Sequence, residues 1–175
     1  MKKELRKWAK EKRLTLCVDV VSAEIKNKLF SSGIYKNAKN IMCYYSIGSE
    51  VNTLEYFNDK SKNWYFPKIQ NDDLLVCPYC SEFIENKYKI KEPNSNPVEE
   101  SVIDMVIIPA LAADKNGYRI GYGKGYYDRF LKKLPKSVCK VVLVYSELLV
   151  DDVHPDDFDE KCDYILTEKN MLKIG

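Results

Sequence analysis

Two β-branched runs joined through a glycine-rich turn and a short helical segment constrain the fold of this chain more than any other feature. The runs cover residues 102–108 and 138–144 and are rich in valine and isoleucine. Strands that are covered on both faces of a parallel sheet have this composition. Residues 126–133 supply a helical connection between the two runs, as parallel strands require. The pattern therefore predicts an α/β fold with right-handed crossovers.

The rest of the chain extends this alternation. Residues 3–16 and 17–29 place apolar side chains at helical spacing, which predicts two helices joined near Thr15. Their predicted inward-facing residues are Leu5, Trp8, Ala9, Cys17, Val20, Val21, Ile25 and Leu29. Short apolar runs predict further strands at residues 41–45, 64–67, 74–77 and 164–166, and residues 92–97 predict a loop. The expectation is a single domain over residues 1–175, with a three-layer α/β/α architecture and a mainly parallel, Rossmann-like central sheet.

The glycine-rich turn has the composition of a phosphate cradle. Gly121, Gly123 and Gly125 stand at every second position, so the backbone can take positive φ and direct successive N–H groups toward an anion. Arg119, Lys124 and the N-terminus of the following helix also favour bound phosphate. The glycine spacing fits neither the Walker A nor the Rossmann fingerprint. A tight strand-to-helix turn without a ligand is the alternative interpretation.

Acidic residues near this turn could hold a metal ion. Asp128 lies in the first turn of the predicted helix, where a carboxylate is favourable simply as a partner of the helix dipole. It is also placed to hold magnesium on nucleotide phosphates, which needs one or two carboxylates. The second carboxylate could come from residues 151–159, most of whose acidic side chains we expect to be solvated.

The charge balance excludes a strongly basic domain. The chain has 28 basic and 26 acidic residues, a formal charge of +2, which argues against a dedicated nucleic-acid-binding protein. The exception is residues 2–13, where seven basic residues face only Glu4 and Glu11. Any anion bound by this patch is expected to be small or local.

Neither a leader peptide nor a membrane-spanning run is evident, so the sequence predicts a cytoplasmic protein without a membrane partner. The six cysteines are expected to be reduced. The pair Cys77 and Cys80 has the spacing of a zinc site, but one histidine in the chain cannot complete four ligands. That histidine, His154, is expected to be a loop residue, because no nucleophile is marked out for it.

Residues 109–131 resemble the signature of the 5-formyltetrahydrofolate cyclo-ligase family, also called methenyltetrahydrofolate synthetases. Further matches to the family occur in its order along the chain at residues 2–6, 44–53, 66–67, 92–93 and 158–163. The resemblance thus covers nearly the whole chain. It departs from the family pattern at Ala113, where an aromatic residue is common, and at Ser46, where proline is frequent.

The resemblance implies an ATP- and magnesium-dependent conversion of 5-formyltetrahydrofolate to 5,10-methenyltetrahydrofolate. It implies that ATP is bound by Lys2, Arg6, Arg119, Gly121, Tyr122, Gly123, Lys124, Gly125, Tyr126 and Tyr127. By the same resemblance, Lys124, Arg119 and Tyr127 act in catalysis, Tyr45, Glu50 and Tyr127 line the folate site, and Asp128 and Asp159 hold Mg²⁺. A monomer is expected.

Two other functions are compatible with parts of the sequence. A nucleic-acid-binding module could use the basic helix of residues 2–13, with the glycine turn on backbone phosphate. An α/β enzyme could instead act on another phosphorylated metabolite, such as a sugar phosphate. A product assay without ATP would separate the last alternative from the cyclo-ligase.

Overall fold

The computed structural model describes residues 1–175 and is built around one large sheet. The helices are α1 (Lys2–Arg13), α2 (Val18–Ser31), α3 (Gly33–Asn37) and α4 (Tyr126–Lys133). The strands are β1 (Asn40–Cys43), β2 (Asn63–Gln70), β3 (Asp73–Pro78), β4 (Phe83–Glu85), β5 (Lys91–Pro93), β6 (Met105–Pro109), β7 (Ala112–Asp114), β8 (Arg119–Ile120), β9 (Cys139–Leu143), β10 (Leu149–Val150), β11 (Tyr164–Leu166) and β12 (Met171–Lys173). Short 3₁₀ helices cover Tyr56–Asn58, Glu100–Val102 and Ser146–Leu148.

The central sheet has seven strands in the order β12-β11-β9-β6-β1-β2-β3. Its five inner strands pair in parallel, and only the two edge strands, β3 and β12, are antiparallel to their neighbours. Two small sheets, β10-β7-β8 and β4-β5, complete the structure. The prediction of an α/β fold with a mainly parallel central sheet is confirmed.

The middle strands of this sheet form the core. Val106 and Ile107 of β6 and Val141 and Val142 of β9 have no exposed surface. Successive residues of a strand point to opposite faces, so both faces of β6 and β9 are covered. Each such side chain contributes about 1.5–3 kcal/mol through burial. This explains why residues 105–108 and 141–144 are apolar at every position instead of alternating with polar residues.

The predicted ends of helices and strands agree best with the structure where a turn or a helix cap defines them. Helix α4 covers residues 126–133, as predicted, and α1 and α2 are separated around Thr15. The first β-branched run becomes a strand only at Met105, because Glu100–Val102 forms a 3₁₀ turn. The prediction of a loop from residue 92 was wrong at its start: Glu92 belongs to β5, which pairs with β4.

The predicted inward faces of the first two helices were wrong at three positions. Trp8 is 41% exposed and Val20 is 62% exposed, and Cys17 is also exposed. Ile25 and Leu29 are fully buried, and successive residues of a helix lie about 100° apart, so Val20 cannot share the Val21 to Leu29 stripe. None of the helices has both the length and the apolar character needed to cross a bilayer.

Candidate active site

One cavity of about 550 Å³ collects every site residue that the sequence analysis singled out. Its walls include the first turns of α1, the loop after β1, the turn between β8 and α4, and the acidic loop before β11. The predicted residues among its lining are Lys2, Arg6, Tyr45, Glu50, Arg119, Gly121, Tyr122, Gly123, Lys124, Gly125, Tyr126, Tyr127, Asp128 and Asp159. Residues up to 157 positions apart in the sequence, such as Lys2 and Asp159, are thereby in contact.

The glycine turn needs glycine at two of its three positions. Gly123 has a φ of 98° and Gly125 a φ of 71°, values that side chains rarely allow. A Cβ at Gly125 would lie 2.7 Å from Nη1 of Arg129. Gly121 differs from the prediction, because its φ is not positive and a Cβ there would meet no atom within 4 Å. It directly follows β8, and the chain enters left-handed conformations only at Gly123.

Two arginines hold the glycine turn in place. Arg6 Nε of α1 donates to the carbonyl of Gly121 at 2.9 Å. Arg129 Nη1 of α4 donates to the carbonyl of Lys124 at 3.0 Å, and its Nε and Nη2 reach the carbonyl of Asp72 at 3.0 and 2.8 Å. The ammonium of Lys124 has no protein hydrogen-bond partner or ion pair, so it is available to an anion in the cavity.

Replacing Gly125 with alanine should destabilise the fold. A left-handed conformation costs a side-chain-bearing residue about 1–2 kcal/mol, and Arg129 would also have to move off Lys124. We expect the free energy of unfolding, measured by urea denaturation, to fall by that amount. Gly121→Ala is the matched control, because its backbone and its surroundings accept a Cβ. Equal loss of stability in both variants would contradict this reading of the turn.

Cations and carboxylates in the cavity are paired with each other. Lys2 Nζ lies 2.6 Å from Oδ2 of both Asp156 and Asp159, and Arg119 Nη1 lies 3.1 Å from Oδ1 of Asp128. Burial acts to raise the pKa of Asp159, but the Lys2 ammonium and the Asp156 backbone N–H hold that pKa below its usual value. Asp159 is therefore ionised at neutral pH. Asp156 was not singled out from the sequence, where it was one of several acids in a loop.

The carboxylates of Asp128 and Asp159 fit a magnesium ion that also binds phosphates. The hydrogen bonds to Asp128 all end on Oδ1 and those to Asp159 on Oδ2, so each keeps a second oxygen without a partner. No group of three or more potential metal ligands is present. Magnesium held by one or two carboxylates and by substrate phosphates does not need one.

A buried carboxylate lies on the other side of the glycine turn. Glu50 is 6% exposed, and its Oε2 accepts a hydrogen bond from the Ile47 backbone N–H at 2.8 Å. Burial raises the pKa of Glu50, which the Ile47 N–H, the nearby Arg13 charge and the Tyr122 hydroxyl partly counteract. Glu50 makes no ion pair within 4 Å. Its carboxylate lines the cavity, where a ligand that donates N–H groups can reach it.

Arg13 holds this side of the cavity together, and it was not among the predicted site residues. It is 5% exposed, and its Nε and Nη2 donate to Ser49 Oγ and Tyr122 Oη, both at 2.9 Å. With Lys2 and Arg6 it forms the inward side of α1. Three basic residues of this helix thus face the cavity, whereas Lys3, Lys7 and Lys10 are exposed.

Two tyrosines complete the wall near Glu50. Tyr45 packs against the rings of Phe66 and Phe83, with centroid distances of 6.2 and 5.5 Å. Burial raises the pKa of Tyr127, so its hydroxyl keeps its proton at neutral pH. The guanidinium of Arg119 lies 5.9 Å from the centre of the Tyr127 ring. This wall offers apolar surface together with hydroxyl donors.

The cavity has a further lobe, which we call the hairpin lobe, beside the β4-β5 hairpin. None of its residues was among the predicted site residues, although Glu92 lies in one of the segments that carry the family resemblance. Its lining consists of Pro67, Ile69, Leu74, Asn86, Tyr88, Ile90 and Glu92. Four of these residues belong to the β4-β5 hairpin and three to the neighbouring β2-β3 pair, so the lobe forms where the two hairpins meet.

Comparison with known proteins places these features in one family. The model of the 5-formyltetrahydrofolate cyclo-ligase family matches residues 1–168. The chain is 30% identical to a 5-formyltetrahydrofolate cyclo-ligase of Mycoplasma pneumoniae, over 96% of this chain and 99% of that protein. It is 28% identical to the cyclo-ligase of Mus musculus, over 96% and 90%. The structure of the 5,10-methenyltetrahydrofolate synthetase of Aquifex aeolicus superposes with a TM-score of 0.88 at 30% identity, covering 99% of this chain and 92% of that one.

Proposed function

Because the chain belongs to the 5-formyltetrahydrofolate cyclo-ligase family, we propose that it closes the folate ring with ATP as phosphoryl donor and with Mg²⁺ bound at Asp128 and Asp159. The family resemblance of the sequence is confirmed, and with it the assignment of the chain as a ligase of folate one-carbon metabolism. The observation that carries the finer proposal is the single cavity that combines a glycine cradle, a free lysine and a buried carboxylate. Since that cavity uses residues from Lys2 to Asp159, we propose that residues 1–175 act as one domain.

The proposed reaction has two steps. The formyl oxygen on N5 attacks the γ-phosphorus of ATP, the bond to the bridging oxygen breaks, and ADP leaves. The resulting iminophosphate has a carbon that is electrophilic enough for attack by N10. Ring closure releases the N10 proton and expels phosphate, which carries away the former formyl oxygen, and leaves 5,10-methenyltetrahydrofolate. The enzyme forms no covalent bond with either substrate, which fits a cavity without a marked nucleophile.

The cradle is suited to bind and stabilise the transferred phosphoryl group. Backbone N–H groups of the glycine turn and the N-terminus of α4 supply partial positive charge. Lys124, Arg119, Lys2 and Arg6 supply full charges around it. Bound phosphates would draw Lys2 and Arg119 away from their present carboxylate partners, which would free those carboxylates for the metal. Magnesium there would neutralise charge on the phosphates.

We place the folate beside Tyr45, Glu50 and Tyr127. The reduced pterin ring carries a 2-amino group and an adjacent ring N–H, a pair of donors that suits the carboxylate of Glu50. Tyr45 offers an aromatic surface, and the Tyr127 hydroxyl is a donor near the cradle. The formyl group would then lie between the two halves of the cavity, within reach of the γ-phosphate.

Replacing Glu50 with glutamine should weaken folate binding and stabilise the free protein. Loss of a charge-assisted hydrogen bond of about 1.5 kcal/mol corresponds to a roughly tenfold rise in KM for 5-formyltetrahydrofolate. Burial raises the folded-state pKa of Glu50 above its unfolded value, so keeping the group costs stability at neutral pH. The glutamine variant should therefore be more stable at pH 7, by an amount that shrinks as the pH falls through the folded-state pKa. Unfolding curves at several pH values and steady-state kinetics measure both effects. A lower stability of the variant at pH 7 with an unchanged KM would contradict the assignment of Glu50 to the folate site.

Isotope labelling tests the phosphorylated intermediate directly. With ¹⁸O in the formyl group, the mechanism transfers the label to the released phosphate, which mass spectrometry detects. Label that remains outside the phosphate would exclude attack by the formyl oxygen on ATP. A control with unlabelled folate in ¹⁸O-water reports any ATP hydrolysis that bypasses the folate.

A further inference from the structure

Arg13 is a buried cation without a carboxylate partner. It is 5% exposed, and it makes no ion pair within 4 Å. Its Nε donates to Ser49 Oγ and its Nη2 to Tyr122 Oη, both at 2.9 Å. Burial of a charged side chain is costly, and two neutral acceptors offset less of that cost than a carboxylate would. Stability alone therefore does not account for arginine at this position.

The guanidinium of Arg13 joins two different walls of the cavity. Ser49 precedes Glu50 in the loop after β1, and Tyr122 lies in the glycine turn. Nε and Nη2 form one edge of a rigid, planar group, so they donate in nearly parallel directions and hold the two hydroxyl oxygens side by side. Arg13 is the only residue that hydrogen-bonds to both the loop of residues 46–51 and the turn of residues 121–125. One side chain thus links the two walls.

Each wall also has anchors of its own. On the loop side, Tyr145 Oη donates to the Ser49 carbonyl at 3.0 Å. On the turn side, Arg6 Nε and Arg129 Nη1 donate to backbone carbonyls at 2.9 and 3.0 Å. Removal of the Arg13 guanidinium therefore leaves both walls anchored and releases only their position relative to each other.

Arg13 reaches the cavity only through its neighbours. Its side chain points toward the cavity but does not form the wall, and Ser49 does not form the wall either. Glu50 and Tyr122 do line the cavity. Any effect of Arg13 on bound substrates must therefore pass through the positions of the loop and the turn.

The proposed reaction depends on how its two substrates are placed relative to each other. The loop wall holds folate at Glu50, and the turn wall holds the phosphates of ATP. Attack requires the formyl oxygen and the γ-phosphorus to lie about 3–3.5 Å apart, and a displacement of about 1 Å can cost roughly 100-fold in rate. Because different walls hold the two reacting atoms, the spacing of the walls sets this distance.

We propose that Arg13 is a positioning residue that sets the spacing between the folate and the phosphate cradle. The inference rests on the proposed function, because it takes folate beside Glu50 and ATP phosphates in the glycine turn as given. It adds a residue that touches neither substrate and acts on the rate of phosphoryl transfer, not on the affinity for either substrate. The rigid edge of the guanidinium is the feature that matters, since a single ammonium cannot hold both hydroxyl oxygens in the same way.

The Arg13→Met variant tests this role. Methionine keeps an apolar stem and leaves no buried charge. We expect the single-turnover rate of methenyltetrahydrofolate formation, with both substrates saturating, to fall about 10- to 100-fold. The dissociation constants of ATP with Mg²⁺ and of 5-formyltetrahydrofolate, each measured alone by calorimetry, should match those of the wild type. A residue that only stabilised the fold would not separate rate from affinity in this way.

Three further variants sharpen the test. Arg13→Lys keeps the charge without the rigid edge, so its rate should stay close to that of Arg13→Met. Ser49→Ala breaks the link from the loop side and should also slow the reaction, and its combination with Arg13→Met should slow it no further. Because it removes one half-buried hydroxyl, Ser49→Ala carries the test if Arg13→Met fails to fold. Lys7→Met is the matched control, since Lys7 is an exposed basic residue of the same helix without an ion pair, and its rate should match the wild type.

Three results would overturn the inference. An unchanged rate in Arg13→Met would show that the link does not position the substrates. Weaker binding of either substrate with an unchanged rate would make Arg13 a structural support of that wall. A wild-type rate in Arg13→Lys would assign the effect of Arg13 to its charge near Glu50. Each of these results requires a wild type that forms methenyltetrahydrofolate, whereas a wild type without turnover refutes the proposed function itself.

Discussion

The Lys124→Ala variant should lose about 30- to 150-fold in kcat/KM for ATP. The ammonium of Lys124 stands in the glycine turn, lines the cavity and has no protein partner. It is therefore free to stabilise charge on the transferred phosphoryl group. Removal of one such contact costs about 2–3 kcal/mol of transition-state stabilisation, which corresponds to that loss in rate. Steady-state kinetics with ATP varied and folate saturating give the value.

Lys136→Ala is a suitable control for this variant. Lys136 is an exposed lysine that follows α4, makes no ion pair and lies outside the cavity. The Lys136→Ala substitution removes the same charge from the protein but leaves the cradle intact, so the kinetics of this variant should match those of the wild type. Unchanged kinetics in the Lys124 variant would show that the cradle does not act on the phosphoryl group.

Replacing Asp114 with alanine should cost about 3 kcal/mol or more of folding free energy. Asp114 has no exposed surface. Its Oδ1 accepts from the backbone N–H groups of Asn116 and Tyr118 at 2.9 and 3.2 Å, and its Oδ2 from Val153 N–H at 3.2 Å. Each buried donor left without a partner costs about 1–3 kcal/mol. Because Asp114 ties the β7-β8 hairpin to the acidic loop, magnesium affinity should weaken as well.

Asp104→Ala separates burial from the hydrogen bonds themselves. Asp104 Oδ2 also accepts from two backbone N–H groups, those of Lys39 and Asn40, at 2.9 and 2.7 Å. Asp104 is exposed, so water can replace its carboxylate, and we expect a loss of only about 1 kcal/mol. Urea denaturation, followed by tryptophan fluorescence, measures the free energy of unfolding of the Asp114→Ala and Asp104→Ala variants. A loss in the Asp114 variant no larger than in the Asp104 variant would contradict the role given to burial.

The parts of the fold that the sequence predicted depend on local patterns. Helix α4 begins directly after Gly125, where a left-handed residue can precede a helix, so its start was readable. The two β-branched runs became β6 and β9 because buried parallel strands require apolar residues on both faces. Trp8 and Val20 were misplaced because an apolar residue on a helix can stay exposed at little cost, and composition does not reveal which face the neighbours cover.

Local spacing and charge predicted the glycine turn, whereas the distant residues of the site were named only through the family resemblance or were missed. The cradle lies within residues 119–128, so its chemistry was readable from spacing and charge. The ion pairs of Lys2 with Asp156 and Asp159 join opposite ends of the chain, and only the fold brings them together. Arg13 and Glu92 carry no local signal of burial, since arginine and glutamate are mostly exposed. Their burial results from contacts with other elements.

The most direct test of the account follows the product itself. Purified protein is mixed with 5-formyltetrahydrofolate and Mg²⁺, with ATP present or omitted, and the ultraviolet absorption band of methenyltetrahydrofolate is recorded. We expect an increase that requires both ATP and Mg²⁺ and that is strongly reduced in the Lys124→Ala variant. An increase that is independent of ATP, or none at all from folded protein, would contradict it.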